Sequence, residues 1–208
     1  MRLDIYNIEG QKTGRDIELP ESVFGIKPNE HAVYLAVKQY LANQRQGTHK
    51  SKERWEIARS TRKAFRQKGT GGARRGDMKS PLVHGGGRVF GPRPRDYSFQ
   101  LNKKTKQLAR VSVLSGKYND GHLTIIEDFL MDTPKTKGFL DILTKLNLTG
   151  KKTLMVTGGY DKNTYLSARN LPKTSVIEAK NLNTYQILNA NVLVISESAV
   201  ATITEAFA

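Results

Sequence analysis

The chain has 208 residues, 38% of them hydrophobic, and carries 34 Lys and Arg against 19 Asp and Glu, a net charge of +15. This length suits one domain of ordinary size, the apolar fraction suffices for a core, and the charge excess calls for a polyanionic partner, so wholesale disorder is excluded. With no cysteine and only four scattered histidines (His31, His49, His84 and His122), disulfides, thiolate metal sites and cysteine nucleophiles are excluded, and neither a metal nor a cofactor is expected.

The first 20 residues hold two short β-like runs, 3–8 and 16–19, with Gly10 and Gly14 at the expected hairpin turn. Pro28-Asn29-Glu30 then starts a helix whose apolar face takes Ala32, Val33, Leu35, Ala36, Val37, Tyr40 and Leu41 and fades near Arg45. From Gln46 to Asn102 periodicity disappears. Glycines crowd this stretch, and Pro81, Pro92 and Pro94 forbid a long helix through it. A helix over 103–117 follows, with Leu108, Val111 and Leu114 or Ser115 on one side and Gly116 near its end. Strands at 123–126, 153–156, 175–178 and 192–195 then alternate with helices at 134–146, 163–169, 184–189 and 198–207.

Apolar strands alternating with helices predict an α/β fold, a three-layer, mostly parallel sheet covered by helices. The reading is a single domain over 1–208 with a long basic extended loop inserted at 46–102. No apolar run approaches the roughly 20 residues of a membrane span, and the N-terminus lacks the uninterrupted apolar stretch of a signal peptide, so a soluble, cytoplasmic chain with no membrane partner is expected.

Charge is concentrated in the insert. Between Lys38 and Arg110 there are 20 Lys and Arg against four acids (Glu53, Glu56, Asp77 and Asp96), a net +16 that leaves the remainder at −1. A concentrated field of this kind captures phosphates; the competing view is a solvated basic linker. The insert has too few large apolar residues for a core of its own, so it should order only against a partner. If it runs out and back, each limb could reach at most roughly 90 Å.

Within it, Arg66-Gln67-Lys68-Gly69-Thr70-Gly71-Gly72-Ala73-Arg74-Arg75-Gly76-Asp77 places cations beside glycines. Glycine lets backbone N–H groups approach phosphates, Arg offers a planar fork and Lys a point charge. Gly71 and Gly76 have the outer spacing of a nucleotide-binding loop, but Asp77-Met78 stands where Lys and Ser or Thr are required. Downstream, His84-Gly85-Gly86-Gly87-Arg88-Val89-Phe90-Gly91-Pro92-Arg93-Pro94-Arg95-Asp96-Tyr97 interleaves cations, turns and aromatics, as RNA recognition does. Trp55, Phe65, Phe90, Tyr97 and Phe99 either stack on bases or form a local cluster fixing the base of the loop. The Gly158-Gly159 turn after a strand admits a second class of function, a nucleic-acid-modifying enzyme such as a methyltransferase, against the plainer reading of an ordinary strand-to-helix turn.

These segments, with Arg45-Gln46-Gly47-Thr48, Lys79-Ser80-Pro81, Asn102-Lys103-Lys104, Pro134-Lys135-Thr136-Lys137 and Ala168-Arg169-Asn170-Leu171, resemble the bacterial large-subunit ribosomal protein L-four family from end to end. The resemblance implies a non-enzymatic structural protein: a globular domain on the surface of the large ribosomal subunit and a loop threading into ribosomal RNA, helping to shape the peptide exit tunnel and supporting assembly. Its implied partners are large-subunit ribosomal RNA and other large-subunit proteins, with no small-molecule substrate. Arg66, Gln67, Lys68, Gly69 and Thr70 match the loop tip at the tunnel constriction, close to where macrolides bind. Arg45, Thr48, Lys50, Lys79, Arg88, Arg93, Arg95 and Lys103 are expected on backbone phosphates along the shaft, and Arg62, Lys63, Arg74 and Arg75 complete the RNA-binding set. Phe65 stands where many members have Trp, and Gly72 interrupts a common Gly-Thr-Gly-Arg-Ala-Arg run.

Overall fold

The computed structural model describes residues 1–207, which divide into two compact units, 1–41 with 100–207, and Ala42–Phe99. The first unit is an α/β fold. It contains β1 (Arg2–Tyr6), β2 (Lys12–Glu18), α1 (Glu21–Phe24), most of α2 (Glu30–Asn43), α3 (Lys103–Asn119), β3 (Leu123–Ile126), α4 (Thr136–Lys145), β4 (Thr153–Thr157), α5 (Lys162–Ala168), β5 (Thr174–Glu178), α6 (Thr184–Asn189), β6 (Val192–Ser196) and α7 (Glu197–Phe207). The sheet order is β2-β1-β3-β6-β4-β5; only β1 and β2 pair antiparallel, so the sheet is mixed.

Alternation of side chains across each strand divides the core in two. Ile5, Leu123, Ile125, Leu154, Val156, Leu193 and Ile195 join one cluster with Val23, Phe24, Leu114, Ile187 and Ile203. Their strand neighbours Ile126, Met155, Val192 and Val194 join another with Phe139, Leu143 and Ala168. Both clusters draw on β6, which lies between β3 and β4 and is buried along its whole length.

The four C-terminal strands and their intervening helices match expectation to within two residues at each end. The N-terminal hairpin does not. Asn7 Oδ1 accepts from the Glu9 and Gln11 amides at 3.0 and 2.9 Å, closing the turn early, so β2 begins at Lys12. Gly14, expected in the turn, lies inside β2 with φ +74, where the register slips from Asp4↔Asp16 to Tyr6↔Lys12. A strand bulge of this kind admits a left-handed residue. The short helix α1 has no helical period to announce it, yet it buries Val23 and Phe24.

In α2, Asn29 Oδ1 accepts from the Ala32 amide at 3.0 Å as an N-cap. Its apolar residues surround too much of the helix to be buried together: Leu35, Ala36 and Val37 are half-buried and Leu41 is exposed, whereas Gln39 is buried. In α3 the expected face is buried at Val111, Leu114 and Ser115 but not at its first residue. Leu108 is exposed, and the buried run begins at Ala109 and includes Ser112 and Ser115, whose hydroxyls bond Asn29 N at 3.1 Å and Val23 O at 3.1 Å. Gly116 is interior to that helix, which closes at Asp120.

Polar side chains cap two helices of the C-terminal half, α5 and α7. Asp161 accepts from the Asn163 and Thr164 amides at the start of α5. Burial opposes ionisation of Asp161, but these bonds and one from the Thr164 hydroxyl outweigh it and hold the carboxyl below its ordinary range. Asp128 accepts from the Ser198 amide (3.2 Å) and hydroxyl (2.7 Å) at the start of α7.

Candidate nucleic-acid interface

The Ala42–Phe99 unit has a single regular element, a 3-10 turn at Arg54–Glu56. Its two limbs are nevertheless tied in register by backbone bonds: Arg95 N to Gly47 O (3.2 Å), Ser51 N to Pro92 O (3.0 Å), Arg88 N to Lys52 O (2.9 Å) and Ala64 N to Gly76 O (3.0 Å). The chain therefore doubles back around residue 70. Gly47 is dictated by that approach, since a Cβ there would stand 2.0 Å from Arg95 O. The triple glycine works the same way: a Cβ on Gly87 would meet Arg54 N at 2.4 Å, so this glycine serves limb packing and not phosphate access. Gly71, Gly72 and Gly76 have open space around them, as close backbone approach to a phosphate requires.

The carboxylates are spent internally. Glu53 accepts from Arg93 Nε and, at 3.1 Å, from Trp55 Nε1. Lys50 pairs with Glu56, whose other oxygen accepts from Glu53 N at 3.1 Å in a reciprocal capping box. Arg54 meets Asp77 at 2.7 Å, and Asp96 accepts from Ser98 N and Oγ at 2.8 and 2.7 Å. Hydrogen bonds from Arg93, Lys50 and Arg54 hold the carboxyls of Glu53, Glu56 and Asp77 below their ordinary range against the opposing effect of burial. Glu53-x-x-Glu56 was the signal available for two of them; nothing local marks Asp77.

The fate of each expected contact residue follows from this frame. Lys50 and Arg93 are already paired with carboxylates, so they bear on the limbs first. Arg45 and Arg95 lie over Tyr97, at 3.9 and 4.5 Å from its ring centroid. Thr48 and Arg88 are exposed, whereas Lys79 is half-buried and its carbonyl accepts from Gly87 N at 3.0 Å. Around the tip, Arg66 Nη2 donates to Gly69 O at 3.1 Å and Lys63 Nζ to Gln67 Oε1 at 2.5 Å; Lys68 and Thr70 are exposed. Arg62, Lys63, Arg66 and Arg75 share an open concavity of about 920 Å³ with Phe65, and Arg74 lines its neighbour. Lys103 belongs to the α/β unit, in the first turn of α3 with Lys104 and Lys106. Three lysines oppose the helix dipole there, an arrangement suited to a bound anion.

In the turn after β4, Gly158 is tightly packed and Gly159 is open. A Cβ on Gly158 would lie 2.2 Å from Ser198 Oγ, so the glycine lets β4 and the start of α7 approach, and this observation supports the ordinary-turn reading of Gly158-Gly159. No group of three or more His, Asp and Glu able to hold a metal occurs among the described residues, and no helix among them is long and apolar enough to cross a membrane.

Comparison with known proteins matches residues 17–206 to the family model of the ribosomal protein L4/L1 family. The chain is 58% identical to the large ribosomal subunit protein uL4 of Parabacteroides distasonis, covering 100% of this chain and 99% of that one. It is 56% identical to the protein of the same name from Porphyromonas gingivalis, with the same coverage. The corresponding protein of Christiangramia forsetii is 58% identical over 95% of each chain. With its α/β sheet, its basic two-limbed unit and this end-to-end similarity, the chain belongs to the ribosomal protein L4/L1 family.

Proposed function

We propose that this chain is a structural constituent of the large ribosomal subunit, in the cytoplasm, and that it binds ribosomal RNA without catalysing a reaction. The observation that carries the reading is the charge state of the basic unit. Of the fifteen Lys and Arg in Ala42–Phe99, the four local carboxylates occupy only Lys50, Arg54 and Arg93, leaving twelve cations without an acidic partner among the described residues. Such a surface repels itself until polyanion neutralises it. The names of the relatives, large ribosomal subunit protein uL4, point to the same assembly.

In this reading the basic loop over 46–102 is an insertion in one α/β domain, whose three layers are helices on both faces of the sheet. The division of strand residues between two apolar clusters supports that layering. The tip residues Arg66, Gln67, Lys68, Gly69 and Thr70 help line the peptide exit tunnel near the macrolide site. The cations along the limbs bind phosphate and favour assembly, and other large-subunit proteins are neighbours.

Binding to a large-subunit ribosomal RNA transcript, titrated across salt, tests this. If about ten cations meet phosphate, the log-log slope of the binding constant against salt is roughly −7 to −9. A shallow slope sinks the reading. Replacing 46–102 by a short linker should abolish the slope and leave a cooperatively melting α/β unit.

A further inference from the structure

Five aromatic residues of the basic unit are candidates for stacking, and the structure separates them. Tyr97 already has a guanidinium from Arg45 and another from Arg95 against its ring, and Phe65 and Phe99 are half-buried. Trp55 and Phe90 differ. Trp55 is 72% exposed, yet its indole is oriented: Nε1 donates to Glu53 Oε2 at 3.1 Å, and Lys50 Nζ lies 5.6 Å from the ring centroid. Glu53 is in turn held by Arg93, so its charge is neutralised where a phosphate would approach.

Phe90 is fully exposed and has φ 52. A bulky side chain in the left-handed region is strained, and such strain persists only where the surrounding chain imposes it. Here the backbone is pinned on both sides, by Arg88 N to Lys52 O at 2.9 Å and Ser51 N to Pro92 O at 3.0 Å. Gly91 sits so close to Ser51 that a Cβ would lie 2.5 Å from its Oγ. The frame thus holds out a phenyl ring that packs on nothing. Phe90 and Trp55 line one concavity of about 790 Å³, together with Arg88, Arg93 and Arg95. That volume falls in the range of small-molecule sites and admits a nucleobase.

We propose that this concavity takes one unpaired RNA base against the rings of Trp55 and Phe90, with Arg88 and Arg95 on the adjoining phosphates. The inference rests on the RNA-binding reading and deepens it: the limb is a base-stacking site as well as a phosphate binder, and it selects single-stranded over paired RNA because only an unstacked base offers its face. Charge complementarity favours RNA over an apolar peptide, since the unit carries fifteen cations and four carboxylates.

Trp55 is the only tryptophan of the chain and reports on the site directly. The full-length protein is titrated with a twelve-nucleotide oligoadenylate and, separately, with inorganic polyphosphate of matched charge, following tryptophan fluorescence and affinity. The oligonucleotide should quench Trp55 and polyphosphate should bind without quenching. Phe90→Ala should weaken the oligonucleotide about tenfold, a typical loss for one stacking contact, and leave polyphosphate unchanged. Phe90→Leu, which keeps apolar bulk, should weaken the oligonucleotide in the same direction. If oligonucleotide and polyphosphate bind alike without quenching, and neither variant matters, the base site is overturned while phosphate binding stands. If neither binds, the RNA reading fails with it. Quenching by a polyglutamate peptide with the same Phe90 dependence would assign the concavity to an acidic protein partner and overturn the proposal.

Discussion

Arg54 Nη2 lies 2.7 Å from Asp77 Oδ2, joining the outbound and return limbs of the basic unit across 23 residues of chain. The Asp77 side chain is only 11% exposed, the least of any ion-paired group, and its second oxygen is buried without a hydrogen-bond partner. A carboxylate held so firmly in a cationic segment is a clasp and not a ligand for RNA. Its removal leaves Arg54 facing other cations.

Asp77→Asn keeps the shape and deletes the charge. Limited trypsin digestion should then cut faster at Arg74 and Arg75, while the thermal midpoint of the α/β unit stays constant. Unchanged cleavage would show that the backbone bonds alone hold the limbs.

The carboxylate frame also predicts an acid response with a defined sign. Hydrogen bonds from Arg93 and Trp55 lower the folded pKa of Glu53 below its unfolded value. The stabilisation is therefore fully present above the ordinary glutamate range and is lost as pH falls through the folded pKa. The Trp55 indole N–H resonance, bonded to Glu53, should shift on acidification with a midpoint below about pH 4.3, the ordinary glutamate value. A midpoint at or above that value contradicts the arrangement.

Ile195 lies on β6 with no exposed surface, in the larger apolar cluster. Ile195→Ala should cost about 2–5 kcal/mol in urea denaturation of the α/β unit, because it removes packing from a strand with neighbours on both sides. The Trp55 indole resonance should not move. A loss below this range would mean that the site collapses around the smaller side chain.

Asp128 and Ser198 form the cap of α7 across 70 residues. Asp128→Ala should destabilise the fold by about 1 kcal/mol, and Asp128→Asn should recover part of that, since asparagine also accepts from the cap amide. Equal loss in both variants would assign the effect to charge and not to the hydrogen bond.

Much of the α/β unit was legible because its determinants are local. Leu123-Thr124-Ile125-Ile126 and Val192-Leu193-Val194-Ile195 are short β-branched runs bounded by turn residues, and they form strands at those positions. The irregularity of 46–102 was legible from glycine, proline and charge. The pairing of Arg54 with Asp77 was not legible, since it depends on limb register. The pairing of Arg93 with Glu53, 40 residues away in the chain, depends on that register equally.

Sequence alone thus determined which stretches are strand, helix or glycine-rich loop, where the positive charge concentrates and the family resemblance, because periodicity, turn chemistry and composition act over a few residues. Tertiary structure decided the sheet order, the bulge at Gly14, the buried face of α3 that leaves Leu108 outside, which cations are clasped by carboxylates and which aromatic rings stand open. Each of these depends on contacts between residues far apart in the chain, and no local preference encodes which distant partner a side chain will meet.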